Sequence, residues 1–128
     1  MSFAHLALAS PDVEATAAFL VEAVGWRRVS APANSPRDVA WLEMASGQQL
    51  HLIHVEDFEI SPFDREFGRH LAFFYNGEAF EQLKERIRAA GGEVIDAQRP
   101  TPFPRFFFRE PINGYQFEVI DRQKYVIE

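Results

Sequence analysis

Two spacings of apolar residues alternate along the chain, and the order in which they appear is written twice. The run FAHLALA (residues 3–9) is short and apolar, as a strand is. SPDVEATAAFLVEAVG follows with Val13, Ala17, Leu20 and Val24 three or four apart, which predicts a helix with one apolar face. Ser10 is its expected N-cap, Pro11 its first helical residue and Gly25 its C-terminal cap. WRRVS, DVAWLEM and QLHLIHV then read as strands, the last two joined through ASGQ with Gly47 in the turn.

A polar, Pro-containing connector, EDFEISPFDREFG, leads into a second statement of the same phrases. RHLAFFY predicts a strand, and GEAFEQLKERIRAAGG a helix with Phe80, Leu83 and Ile87 on one face, ended by Gly91 and Gly92. EVIDA, RFFFRE and YQFEVID follow as strands, the last two joined through PING, whose Asn113-Gly114 is a hairpin signal. His5 to Gly25 spans nearly the same length as His70 to Gly91, and His5 to His51 nearly the same as His70 to Glu118. The pattern is an internal repeat of α+β type. Module one covers about residues 1–56, a linker about 57–67 and module two about 68–122, with a short tail, all within one domain.

Composition narrows the function classes. With 47% hydrophobic and 25% charged residues the 128-residue chain has the make-up of a soluble globular domain. Its net charge of -6 argues against a nucleic-acid partner, which calls for a basic face. No apolar run approaches the ~20 residues of a membrane span, and the start MSFAHLALASPD lacks the basic segment of a signal peptide. The chain has no cysteine, which removes disulfides and thiolate sites and fits a cytoplasmic setting. Its 13 phenylalanines predict an aromatic core, part of which is available to line an apolar ligand pocket.

Strand alternation then singles out four polar residues. His5 lies opposite Leu6 and Leu8, His51 opposite Leu50 and Leu52, His70 opposite Leu71 and Phe73, and Glu118 opposite Phe117 and Val119. Each module thus offers one candidate on its first strand and one on its last. Imidazole nitrogens and a carboxylate form a donor set for a divalent transition metal, and two histidines with one carboxylate leave coordination positions open. A single strand histidine is more often a hydrogen-bonded or surface residue than a ligand; matched positions in a repeat weigh against four such accidents. His54 falls off this register and reads as surface or structural.

The ordered set FAHLALASPDVEATAAFLVEAVGW, QLHLI, RHLAFFY…LKERIRAAGGEV and FFFREPINGYQFEVID resembles the vicinal oxygen chelate superfamily, the glyoxalase / bleomycin resistance / extradiol dioxygenase group, over roughly residues 3–121. The resemblance implies two βαβββ modules whose curved mixed sheet forms an open, barrel-like cleft holding a metal. It implies His5, His51, His70 and Glu118 as ligands, with a three-ligand version omitting His51, and a homodimer. The ion is Ni, Zn, Fe(II) or Mn, the choice left open by the residues.

Departures from the family pattern shape the expected activity. Bacterial-type glyoxalase I enzymes carry Glu where this chain has His51, and hold glutathione through an Arg and an Asn where Ala9 and Val55 stand. Glutathione-dependent lactoylglutathione lyase activity therefore lacks two anchors. The family's Asp-Pro is Glu110-Pro111 here, and its aromatic pair in the first helix is Phe19-Leu20. The expected function is a metal-dependent enzyme chelating adjacent oxygens of a small substrate, as lyase, isomerase or dioxygenase, with Glu118 or a metal-bound water as base. Tyr75 and Phe107 are the expected pocket residues, and Tyr75 or His51 an additional acid–base group. The alternative is a metal-free small-molecule binding or resistance protein using the same cleft.

Overall fold

The computed structural model describes residues 1–36, 38–45 and 47–126. Residue 46 of the ASGQ turn, residue 37 of the loop before DVAWLEM, and the tail residues 127–128 lie outside the described residues. The chain divides into two compact units, Met1–Glu59 and Ile60–Glu128, so the second half of the connector belongs to the second unit. The fold is α+β, and each unit is one βαβββ module.

In the first unit, β1 (His5–Ser10) is followed by α1 (Val13–Phe19), β2 (Arg27–Val29), β3 (Val39–Ala45) and β4 (Gln48–His54). The sheet order is β1-β4-β3-β2, with β1 parallel to β4 and the other pairs antiparallel. One sheet face carries Ala40, Leu42, Leu50 and Leu52, all buried together with Val13, Ala17 and Leu20 of the helical segment. Burying a leucine side chain in this way contributes about 1.5–3 kcal/mol.

The helix begins later than its sequence suggests. Its N-cap is Asp12, whose carboxylate accepts the Ala15 N–H at 3.0 Å. Ser10, the expected cap, is still paired with His54 in the sheet. Its buried hydroxyl accepts the Asp12 N–H and meets the Thr16 hydroxyl at 3.1 Å. Of two eligible caps flanking Pro11, the one free of the strand takes the role. The helix continues as a π turn over Leu20–Val24 and stops at Gly25, whose φ of 87° suits a residue without a Cβ.

The second unit repeats the plan with β5 (Leu71–Tyr75), α2 (Gly77–Ala89), β6 (Glu93–Asp96), β7 (Arg105–Arg109) and β8 (Gln116–Asp121). Its order is β5-β8-β7-β6, again parallel between the outer first strand and the last. Phenylalanines replace the leucines of the first unit. Phe106, Phe108 and Phe117 are buried with Phe80, Leu83 and Ile87 of α2, and the Phe80 and Phe106 rings meet edge to face at 5.1 Å.

Two segments of this unit are tied down by specific contacts. The connector turns back on itself where the Arg69 N–H meets the Phe63 carbonyl at 2.6 Å. A Cβ on Gly68 would stand 2.1 Å from that carbonyl oxygen, so the turn closes only around glycine. The β7–β8 loop is organised by Glu110, 1% exposed, whose carboxylate accepts the backbone N–H groups of Ile112, Asn113 and Tyr115. Gly114 in that loop sits at φ 94°.

Among the described residues no helix is long and apolar enough to cross a membrane. Because a buried, charged acceptor holds three backbone N–H groups of the loop, Glu110→Ala is expected to cost about 3 kcal/mol, the upper range for a hydrogen bond to a charged group. Urea unfolding at neutral pH reads this as a lower midpoint with an unchanged slope.

Candidate functional site

The parallel pairs β1–β4 and β5–β8 fix where the four candidate residues stand. In the first sheet His51 is paired with Ala7, two residues after His5; in the second, Glu118 is paired with Ala72, two residues after His70. Alanine opposite the second candidate leaves space for the histidine two positions earlier to lean across. Each unit therefore brings its pair into contact, at matching register. Among the described residues, such side chains do not gather in threes.

In the second unit the His70 Nε2 lies 3.0 Å from Glu118 Oε1, and its Nδ1 lies 3.1 Å from the Arg65 carbonyl oxygen. Both ring nitrogens thus face acceptors. A proton on Nδ1 satisfies the carbonyl, and Nε2 then meets the carboxylate either through a second proton or through a cation held between them. His70 itself precedes β5 instead of lying on it, because pairing starts at Leu71 opposite Phe117, directly after the Phe63–Arg69 turn.

The second oxygen of Glu118 is held by Arg105, 3.1 Å from Nη1. The side chain of Arg105 is only 3% exposed, and its Nη2 reaches Glu66 at 2.9 Å and the Arg99 carbonyl at 2.6 Å. Glu66 accepts the Gln98 and Arg99 backbone N–H groups as well. The guanidinium also stacks over Phe107, 5.3 Å from the ring centroid. The result is a chain of alternating charge, Glu66, Arg105, Glu118, that ends on His70. Its geometry fits a carboxylate ligand with one oxygen fixed from behind and the other presented forward. The Arg105 Nε is buried and has no hydrogen-bond partner among the described residues, an open donor inside the cluster.

In the first unit the pair is surrounded by aromatic and amide groups. His51, 8% exposed, is stacked between His5, with ring centroids 4.0 Å apart, and Trp41, at 3.9 Å. Its Nε2 is 2.8 Å from Gln49 Oε1. An amide oxygen only accepts, so this contact places the proton on Nε2 and leaves the Nδ1 lone pair open. Burial, and secondly the neighbouring His5, push the His51 pKa down, which favours the neutral imidazole a metal requires. His54 is exposed at the end of β4.

Of the two expected pocket residues, the structure brings only Phe107 to the candidate pair. It is paired with Glu118 across β7–β8, and the His70 ring meets it edge-on at 5.0 Å. Tyr75 lies an odd number of residues from His70, so it stands on the other face of the sheet, where its hydroxyl accepts from Arg86 of α2 at 2.6 Å. Arg105 and Glu66 are absent from the sequence-based set. Arg105 has a signal, because it shares the face of Phe107 in RFFFRE and a buried guanidinium demands carboxylates. Glu66 has none, since it lies in an aperiodic loop.

A family model described as Glyoxalase/Bleomycin resistance protein/Dioxygenase superfamily matches residues 2–119. A glyoxalase/dioxygenase from Nostoc punctiforme is 20% identical, covers 94% of this chain and 90% of its own, and superposes with a TM-score of 0.77. A mutant of the fosfomycin resistance protein FosX from Listeria monocytogenes, complexed with Mn(II) and 1S,2S-dihydroxypropylphosphonic acid, is 21% identical, with coverages of 94% and 91% and a TM-score of 0.74. The oxidase ChaP-H2 is 24% identical, with coverages of 95% and 94% and a TM-score of 0.71. At these identities the likeness is one of fold. No curated protein matches the chain.

The charge chain makes stability pH-dependent. Burial raises the Glu66 pKa, but the Gln98 and Arg99 N–H bonds and then Arg105 outweigh it, holding the carboxyl below its usual range. A depressed folded pKa gives stability that is fully present above the unfolded value of about 4.3 and is lost as pH falls through the folded value. Urea unfolding of wild type and Glu66→Gln is expected to differ most at neutral pH, with the gap closing as pH falls below about 4.3.

Proposed function

Because the chain belongs to the glyoxalase/bleomycin resistance protein/dioxygenase superfamily across residues 2–119, we propose that it is a metal-dependent vicinal oxygen chelate enzyme acting on a small substrate. Its metal ligands are drawn from His5, His51, His70 and Glu118. One observation carries the reading: His70 Nε2 and Glu118 Oε1 face each other at 3.0 Å while the remaining atom of each group is fixed from behind, by the Arg65 carbonyl and by Arg105.

Nitrogen and oxygen donors of this kind suit Ni, Zn, Fe(II) or Mn. Such an ion, when bound, polarises adjacent substrate oxygens and acidifies a neighbouring C–H. The chain's own groups do the rest. The Arg65 carbonyl keeps a proton on His70 Nδ1 and so turns Nε2 outward. Arg105 holds Oε2 of Glu118 and lowers the cost of its negative charge, while Glu66 balances the charge of Arg105. Glu118 is the candidate base, and Phe107 packs edge-on against the His70 ring. Ala9 and Val55 stand where two glutathione anchors are expected, which weighs against a glutathione conjugate as substrate. Lyase, isomerase and dioxygenase chemistry all start from this arrangement.

A second reading, a metal-free binding protein, draws on the same network. Both oxygens of Glu118 already have partners, and Arg105 supplies its counter-charge. Elemental analysis of untagged protein separates the two. Stoichiometric metal in wild type, lost in His70→Ala and Glu118→Ala, is the expected result. Failure to take up Ni, Zn, Mn or Fe(II) would sink the enzyme reading and leave the binding protein.

Two further substitutions test the supporting residues. Arg105→Met is expected to weaken metal binding about 10–100-fold, the usual cost of losing a group behind a ligand. Ala72→Leu places bulk between His70 and Glu118 at an exposed position, so metal affinity is expected to fall while the thermal midpoint stays within a few degrees of wild type. Competition with a chromogenic chelator and a thermal melt measure the two effects.

A further inference from the structure

A cleft of about 510 Å³ opens in the second unit; its lining includes the apolar Phe67 and Ile95 and the polar Arg65, Arg109 and Gln116. Arg109 donates to the Gly114 and Asp64 carbonyls and to Gln116 Oε1, three neutral acceptors, and has no carboxylate partner among the described residues. The Asp64 carboxylate is committed to Arg69. Arg65 likewise forms no ion pair among the described residues; its guanidinium lies 5.7 Å from the Phe63 ring. These arginines are not unpaired for want of acids, because Asp and Glu outnumber Lys and Arg by 19 to 13.

Gln116 supplies a second, independent observation. The residue is 94% buried, being 6% exposed, yet only its Oε1 is engaged, by Arg109. Its NH₂ group is left to the cleft it lines. Two acids also border the space. Glu66 is turned to Arg105, which it shares with Glu118, and to two backbone N–H groups, and Asp96 is exposed to solvent. A cleft with two guanidiniums lacking counter-charges and a free amide donor favours an anion.

We infer that this cleft is an oxyanion subsite, taking the carboxylate or phosphoryl end of a small molecule whose apolar part lies against Phe67 and Ile95. Gln116 and Glu118 share a strand face two residues apart, a separation of roughly 7 Å. A short molecule therefore reaches from the anion subsite to the His70–Glu118 pair. As the substrate's anchoring point the subsite rests on the enzyme reading above; as an anion site it does not.

The test uses full-length, chelator-treated, ¹⁵N-labelled protein titrated at low salt with benzoate and, separately, with inorganic phosphate. Saturable movement of the Gln116 side-chain amide and Arg109 Nε–H resonances is expected with at least one of them, and the stronger binder names the oxyanion class. Arg109 also ties the loop around Asp64 and Gly114, so the decisive variant is Arg65→Glu, an exposed position without side-chain hydrogen bonds. It is expected to weaken binding roughly tenfold or more, the scale of reversing one charge beside an anion near a protein surface. No saturable shift with either anion, or an affinity unchanged in Arg65→Glu, overturns the subsite. Metal uptake without anion shifts overturns it while leaving the enzyme reading intact. Anion shifts without metal uptake sustain the subsite and overturn that reading.

Discussion

Parallel pairing of the first strand of each module with its last is the constraint on which the site depends. Side chains on two parallel strands meet diagonally as well as directly, and alanine at the direct position opens the diagonal. That is the role of Ala7 opposite His51 and of Ala72 opposite Glu118. The repeated His-Leu-Ala phrase is thus a packing unit: the histidine to reach across, the leucine turned to the other face, and the alanine to clear the way. The same parallel order requires a long crossover between the paired strands, which is where each helix and the two intervening strands are accommodated.

The two units spend this shared geometry differently. The first stacks His5, His51 and Trp41 and turns an amide oxygen onto His51 Nε2. The second accepts buried charge and balances it in series, from Glu66 through Arg105 to Glu118. Buried ions are costly unless paired and hydrogen-bonded; here one guanidinium serves two carboxylates, and its Nε has no partner among the described residues. The two modules therefore differ less in the candidate residues than in what stands behind them.

Much of the fold was legible in the sequence because it rests on periodicity. The alternation of Leu50, His51 and Leu52, or of Phe117, Glu118 and Val119, reports a sheet with one covered face, and the repeat fixes which strands correspond. Local competition was harder to read. Ser10 and Asp12 are both good caps, and only the pairing of Ser10 with His54 decides between them. Tyr75 illustrates strand parity: five residues from His70, it faces α2, where it meets Arg86. Arg105 was within reach of an argument from burial and charge. Glu66 and the Arg65 carbonyl were not, since a loop that folds back through one hydrogen bond leaves no pattern in the residues that compose it.

That loop gives the Gly68 turn a significance out of proportion to its chemistry. Closure between Phe63 and Arg69 sets the Arg65 carbonyl against His70 and delivers Glu66 to Arg105, and it closes only where no Cβ stands 2.1 Å from a carbonyl oxygen. A residue with no functional atom therefore controls both the orientation and the electrostatics of the pair. In a saturation survey of variants, position 68 would rank with the His70–Glu118 pair in intolerance. Read without the structure, that ranking would pass for a stability effect.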